Sequence, residues 1–364
     1  FKLWDSGASL LEIFNYIKLD RTATIVSAIL LSVVIAFISG LLIQFVCRVL
    51  FSFKFYNSVK YLGGIFTGIS LTFIAYFLFI KGARGASFMT PEALAWIDAN
   101  LSTIIWGMFI TFTVIGQVMA LLGLNIFKLI ILSGTFALAF SFAGNDLVNF
   151  VGVPLAALDS YEHWVGSGIA PIDYLMDCLN ESSRTATGWL FAAGLIMSVT
   201  LWVSKKARQV VQTSINLSSS ASGSREQFGA STLGRIITRM GLGASKTVYY
   251  ATPKVITGFV ASRYQKPPVI KGTIPLPFDY VRASVNLVVA SALISMATSL
   301  KLPLSTTYVT FMVAMGSSFS DGAWDRESAV FRISGVITVV AGWFLTGISA
   351  FTFCTSLKKI RIPD

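Results

Sequence analysis

Residues 127–150 read FKLIILSGTFALAFSFAGNDLVNF, an apolar run of membrane-spanning length that ends in Asn145, Asp146 and Asn149. A helix of about 20 apolar residues crosses the hydrocarbon layer of a bilayer. An ionisable side chain at such a depth costs free energy and usually marks the path of an ion or a substrate. The stretch therefore predicts a membrane helix that carries a functional site.

The composition places the whole chain among integral membrane proteins. Of its 364 residues, 54% are hydrophobic and only 12% are charged, which lies outside the range of soluble domains. The apolar runs lack the alternation of membrane β-strands, so we predict an all-α polytopic membrane protein with about 7 transmembrane helices and a re-entrant half-helix. The helices are expected at about residues 22–46, 61–80, 101–122, 127–158, 186–204, 278–300 and 328–354, with a shorter apolar piece at 303–319.

The charges in the loops predict the orientation of these helices. Residues 205–271 contain eleven Lys or Arg and one acid, whereas residues 159–184 contain five acids and one Arg. By the positive-inside rule the basic loop at 205–277 is cytoplasmic, and so is the C-terminus. We expect a multi-pass protein of the cell inner (plasma) membrane. The net charge of +11 follows from this topology, so the lipid bilayer is the expected partner and nucleic acid is not.

Two segments are expected to depart from simple spanning helices. An even number of crossings must lie between the basic loop and the cytoplasmic C-terminus, yet three apolar segments are found there. The short piece at 303–319, interrupted by Pro303, is therefore predicted to turn back as a re-entrant half-helix. The run at 127–158 is long and contains Gly144, Gly152 and Pro154, which favours two half-helices over one rod.

The polar residues of these two segments have complementary chemistry. On a helix, Asn145, Asp146 and Asn149 share one broad face, and carboxylate with amide oxygens suits a hard cation such as Na⁺. An alternative is that Asp146 pairs with a buried cation such as Arg282, or caps a helix. Ser305, Thr306 and Thr307 stand where a half-helix begins, and helix N-termini bind oxyanions, although ordinary capping would use the same residues.

Both motifs resemble those of the inorganic phosphate transporter family. Residues 143–150, AGNDLVNF, look like its Gly-Ala-Asn-Asp-Val-Ala-Asn signature, and residues 302–319, LPLSTTYVTFMVAMGSSF, are similar to its Leu-Pro-x-Ser-Thr-Thr element. Residues 332–347 resemble the stretch that follows. Ala143-Gly144 has the reverse order of the Gly-Ala in the family signature. Tyr308 stands where many members of the family have His, so a group that could couple transport to protons is missing at this position.

The resemblance implies a two-repeat architecture of which this chain shows one half. The family has two inverted halves with broken helices, so the N-terminal repeat is expected upstream. The expected division is an external tail or inter-repeat loop (1–21), linking helices (22–122), the first part of the C-terminal repeat (123–204), the basic cytoplasmic loop (205–277) and the second part of that repeat (278–364).

The implied function is symport of inorganic phosphate with Na⁺ or H⁺, and the lack of an intramembrane His favours Na⁺. Phosphate is expected at Ser305, Thr306, Thr307, Asn145 and Asn149, and Na⁺ at Asp146, Asn145 and Asn149, with no cofactor and with a homodimer as a further possibility. One alternative is a carrier of another tetrahedral oxyanion such as sulfate. Others are an intramembrane aspartyl protease, which needs Asp279 as its second carboxylate, and a passive channel or scaffold. We expect a transporter and not an enzyme.

Overall fold

The computed structural model describes residues 19–53, 55–82, 89–170, 173–174, 187–206, 252–265, 279–300, 302 and 304–322, isolated residues at 232, 235–236 and 250, and parts of 338–353. These residues form helices and turns, without a strand in the ranges just given. The helices are α1 (Leu19–Phe51), α2 (Phe55–Ala75, continued by a π-helical segment Tyr76–Lys81), α3 (Pro91–Ala99), α4 (Leu101–Leu121), α5 (Ile126–Ser167), α6 (Thr187–Val203), α7 (Lys254–Arg263), α8 (Tyr280–Ser299) and α9 (Thr306–Ser320).

The structure confirms a helical membrane protein. Five of the described helices are long and apolar enough to cross a bilayer, and they coincide with five of the predicted segments. The segment at 186–204 forms the shorter α6, with 17 residues. The predicted helix at 328–354 lies largely outside the described residues, although those described between 338 and 353 are helical.

Helix α5 is one continuous helix of 42 residues, so the predicted break into two half-helices is wrong. Gly144 and Gly152 are not among the residues with positive φ, and Pro154 lies inside the helix. A single proline removes one backbone donor, and neighbouring residues in a membrane helix compensate for that loss. The helix begins where the Asn125 side chain accepts hydrogen bonds from Phe127 N and Lys128 N, and it ends at Gly168, whose φ of 66° is the left-handed conformation that favours glycine.

Contacts between helix ends show that five of them share one side of the molecule. Arg263 at the end of α7 donates hydrogen bonds to Val49 O, at 2.7 Å, and to Leu50 O at the end of α1. The Phe127 ring at the start of α5 lies 5.2 Å from Phe55 at the start of α2, 6.0 Å from Phe51 and 6.3 Å from Tyr280 at the start of α8. The basic residues Arg48, Lys60, Lys128 and Arg263 belong to this side. Arg263 lies in the loop that the charges predict to be cytoplasmic, and the cytoplasmic assignment of the side stays a prediction.

Helices α8 and α9 form an antiparallel hairpin. Asp279, before α8, and Asp321, after α9, both bind Arg48 of α1, so α9 returns to the side from which α8 starts. The expectation that α9, as a re-entrant half-helix, ends on the side where α8 ends is therefore wrong, and the crossing of the bilayer by α8 stays a prediction.

The hairpin is held against α1 by close backbone contact. A Cβ added at Gly316 of α9 would collide with the Phe37 carbonyl oxygen of α1, and one added at Gly40 would collide with the Val313 carbonyl oxygen. Small residues that allow such approach are typical of membrane helix interfaces. The main buried apolar cluster lies along this interface and the start of α5, and it includes Ala36, Phe51, Ile126, Phe127, Val281, Val285, Val289, Val309, Met312 and Val313.

Candidate functional site

Two residues of the predicted cation cluster lie side by side on α5. Asn145 and Asp146 are both half-buried, and Asn145 Nδ2 donates a hydrogen bond of 3.1 Å to Asp146 Oδ1. With its amide nitrogen turned to the carboxylate, Asn145 presents its carbonyl oxygen as an acceptor or cation ligand. The backbone of Asn149 continues the same helix one turn later, and its side chain lies outside the described residues.

Thr306 brings the second predicted cluster onto the Asp146 carboxylate. It is the first residue of α9 and is only 3% exposed. Its Oγ1 lies 3.0 Å from Asp146 Oδ1 and 2.9 Å from Oδ2, so the two oxygens share one hydroxyl proton. The two clusters are therefore in contact, as a phosphate site that includes residues of both requires, and the ligands that they bind stay predictions.

The remaining predicted residues of the oxyanion site take different positions. Ser305 is the half-buried N-cap residue of α9, and its side chain makes no capping hydrogen bond. Thr307 is exposed, because successive residues of a helix point about 100° apart. Pro303 lies outside the described residues. Thr306 is therefore the hydroxyl of the Ser-Thr-Thr group that faces α5.

The N-terminus of α9 has the electrostatics of an anion site. The first backbone N–H groups of a helix have no acceptor within it, and they carry partial positive charge. The capping residue Ser305 has extended backbone, with φ −102° and ψ 116°, and leaves these groups without a side-chain cap. Together with the Thr306 hydroxyl, which contacts Asp146, they form a set of donors at this end of α9. Such a set can hold a carboxylate or another oxyanion.

Asp146 is not paired with Arg282, so that alternative is wrong. Arg282 Nε instead binds Asp321 Oδ2 at 3.0 Å. Within the described ranges no Lys or Arg forms a salt bridge with Asp146, and no group of three or more His, Cys, Asp or Glu is arranged to hold a metal ion. A cation at Asp146 would therefore use one carboxylate and neutral oxygens, which are ligands for a hard ion.

A second polar cluster lies at the opposite end of α9 and was not among the predicted sites. Arg48 binds Asp321 through Nε at 2.8 Å and Nη2 at 2.6 Å, and Gln44 Nε2 lies 3.0 Å from each carboxylate oxygen. Arg48 Nη2 also lies 3.0 Å from Asp279 Oδ1. The side chains of Arg48, Arg282 and Asp321 are fully buried. Two arginines and two aspartates thus balance in charge and join the ends of α1, α8 and α9.

The same sequence signal that marked Asp146 could have found this second cluster. Gln44 and Arg48 lie within the predicted apolar run of α1 or just after it, and Asp321 directly follows the apolar piece at 303–319. Charged residues at such places are costly unless they are paired. Their mutual pairing was hidden because 273 residues separate Arg48 from Asp321.

Asp279 lies far from Asp146. It accepts a hydrogen bond of 2.9 Å from Arg282 N and caps the N-terminus of α8. Asp146 lies near the other end of this helix, whose 20 residues span about 30 Å. These two carboxylates do not form the close pair that an aspartyl protease needs.

The fold thus defines the class of protein, a helical membrane protein with a polar contact between α5 and the hairpin tip. Comparison of the chain with family models, with curated proteins and with solved structures finds no match. The likeness to phosphate transporters therefore depends on the two motifs alone.

Proposed function

We propose that this chain is the later half of a secondary active transporter that imports inorganic phosphate by symport with a cation, and that the cation is Na⁺. The observation that carries the proposal is the hydrogen bonding of Thr306, at the N-terminus of α9, to the Asp146 carboxylate on α5. It joins a donor group suited to an oxyanion with an acidic group suited to a cation. The N-terminal repeat that would complete the carrier is proposed to lie upstream.

The charges of the two ligands explain why they would be transported together. A phosphate dianion beside an ionised Asp146 is strongly repelled in a pocket of low dielectric constant. Either a cation lies between the two anions, or the phosphate donates its own proton to the carboxylate. A sodium ion at Asp146 and the Asn145 carbonyl supplies the first remedy. Binding of the ion and of the phosphate is then mutually dependent, and each tightens the other by the same factor.

In this proposal Thr306 changes its partner as phosphate binds. Its hydroxyl donates to Asp146 in the present arrangement, and the same proton can be donated to a phosphate oxygen that lies against the N-terminus of α9. The sodium ion then compensates the negative charge of the Asp146 carboxylate. Ser305 and the exposed Thr307 are the further hydroxyls that this end of the helix offers.

The proposal is tested by a phosphate-binding titration repeated across a series of sodium concentrations. The protein is expressed from its complete gene, and the wild type is compared with Asp146→Asn and with the control Asp173→Asn, an exposed acid outside the clusters. We expect sodium to tighten phosphate binding in the wild type and the control, and Asp146→Asn to abolish that dependence. Parallel sodium dependence in all three proteins would show that Asp146 is not the coupling residue, and absence of phosphate binding at every sodium concentration would refute the proposed substrate.

Sulfate is the competing oxyanion, and the same titration separates it from phosphate. Sulfate carries no proton near neutral pH, so only a cation bound between it and Asp146 can reduce the repulsion between the two anions. If a hydrogen bond from the substrate to Asp146 contributes, excess sulfate should displace phosphate poorly. Displacement by equimolar sulfate would instead assign the protein to the wider class of tetrahedral oxyanion carriers.

A further inference from the structure

A row of polar side chains on α8 faces the stretch of α5 that leads to Asp146. A Cβ added at Gly134 of α5 would lie 2.8 Å from Leu287 Cβ. Seven residues further along α5, Ser141 Oγ lies 2.7 Å from Ser295 Oγ and 3.4 Å from Ser291 O. Residue numbers rise together on both helices, so the two helices run in the same direction where they touch.

This register places Thr298 at the level of Asn145 and Asp146. Leu287, Ser291 and Ser295 recur at helical spacing, and Thr298 is the next residue of the same face, one turn beyond Ser295. One turn beyond Ser141 on α5 is Asn145. Thr298 thus occupies the position on α8 opposite the predicted cation cluster.

The Thr298 hydroxyl needs a partner that the described part of the protein does not supply. Its Oγ1 is buried and makes no hydrogen bond there, whereas the neighbouring Ser299 hydroxyl donates to Met296 O at 2.7 Å. Buried polar groups are nearly always satisfied by protein, water or an ion. Thr298 also lies in the last turn of α8, which ends at Ser299, and the partial negative charge of a helix C-terminus favours a cation.

We propose that Thr298 Oγ1 is a ligand of the cation that binds Asp146, an inference that rests on the proposed function. The sodium site then consists of an Asp146 carboxylate oxygen, the Asn145 carbonyl oxygen and the Thr298 hydroxyl oxygen, with the C-terminus of α8 behind it. A hydroxyl that accepts no hydrogen bond has lone pairs for a metal ion. The ion would connect α5 with both arms of the hairpin, because Thr306 of α9 contacts the same carboxylate.

The site is tested with Thr298→Val, which keeps the shape of the side chain but lacks the oxygen, and with Thr298→Ser, which keeps the oxygen. Ser299→Ala, at an exposed neighbouring hydroxyl, is the matched control. Two quantities are measured: the sodium concentration for half-maximal phosphate binding, and the shift in melting temperature produced by sodium alone against choline. Thr298→Val should raise the sodium concentration for half-maximal phosphate binding about tenfold or more, because a contact with a charged group is lost. In Thr298→Ser and Ser299→Ala this concentration should stay near that of the wild type. At saturating sodium, phosphate affinity should be unchanged.

The outcomes separate this inference from the proposed function. Wild-type sodium dependence in Thr298→Val overturns the ligand assignment while the transporter stands. If the wild type binds no phosphate, the proposed function fails, and the shift in melting temperature produced by sodium alone still tests Thr298. A shift that is lost in Thr298→Val and kept in Thr298→Ser supports Thr298 as a sodium ligand. An equal shift in both variants, or no shift in the wild type, refutes that assignment. Thr298→Ala replaces the valine variant if that protein does not fold.

Discussion

Thr306 and Asp146 join the tip of the α8–α9 hairpin to α5 through one hydroxyl proton that both carboxylate oxygens accept. The pair is 160 residues apart in sequence, and Thr306 is nearly inaccessible to solvent. A buried hydroxyl that donates to a carboxylate holds the two helices together, and a competing anion could accept the same hydrogen bond. Substitution at Thr306 separates these two roles.

Replacing Thr306 by Val should weaken phosphate binding by about 1 to 3 kcal/mol, because the variant lacks the donor and leaves Asp146 with one hydrogen bond fewer. Thr306→Ser keeps the donor and should bind nearly as tightly as the wild type. The measurement is phosphate affinity at fixed sodium, with the melting temperature as a check on folding. If the valine variant kept wild-type affinity, Thr306 would not belong to the binding site.

The contact of α5 with α8 can be tested without any assumption about the substrate. Because Ser141 Oγ and Ser295 Oγ lie 2.7 Å apart, cysteines at both positions should come within the roughly 3.5 to 4.5 Å between Cβ atoms that a disulfide requires. In a background lacking Cys47, Cys178 and Cys354, mild oxidation should link them. Cleavage at a protease site inserted in the loop at 205–277 then leaves the two fragments joined on a non-reducing gel.

A second cysteine pair is the control for this experiment. Ser133 lies two turns before Ser141 on α5, about 12 Å along the helix axis. The pair at 133 and 295 should therefore stay unlinked under the same oxidation. Equal linking of both pairs would mean that α5 slides or rotates against α8, and it would remove the register on which the position of Thr298 depends.

The sequence predicted for a physical reason that the two clusters form one site. Both clusters lie in segments where irregular backbone was expected at membrane depth, and such backbone is tolerated only where it is buried in protein or lines a cavity. The same logic failed for the break in α5, because Pro154 costs one backbone hydrogen bond and a helix of 42 residues keeps the others. It failed also for the hairpin, since the return of α9 to Arg48 is set by an ion pair between distant segments.

Asp321→Asn should destabilise the protein by about 3 to 5 kcal/mol, because it leaves the buried Arg48 and Arg282 without their shared counter-charge. Asp173→Asn, at an exposed acid, should change the stability by at most about 0.5 kcal/mol. The free energy of unfolding in detergent measures both changes. An Asp321→Asn protein as stable as the wild type would show that this cluster is hydrated or otherwise paired in the membrane.

Gly316→Ala tests the close approach of α9 to α1. Alanine normally favours a helix over glycine by about 1 kcal/mol, so an exposed glycine such as Gly107 of α4, with nothing within 4 Å of an added Cβ, should tolerate the change or gain stability from it. At Gly316 the added methyl would meet the carbonyl oxygen of Phe37, and that contact is with backbone, which cannot move aside as a flexible side chain does. The helices must separate, and overpacking of this kind costs about 1 to 3 kcal/mol.

The two variants should therefore change the free energy of unfolding with opposite signs. Because α9 carries Thr306, Gly316→Ala should weaken phosphate binding as well. If Gly316→Ala were as stable as Gly107→Ala, α9 would not pack on α1 with the closeness described above, and the position of the hairpin tip beside Asp146 would lose its main support.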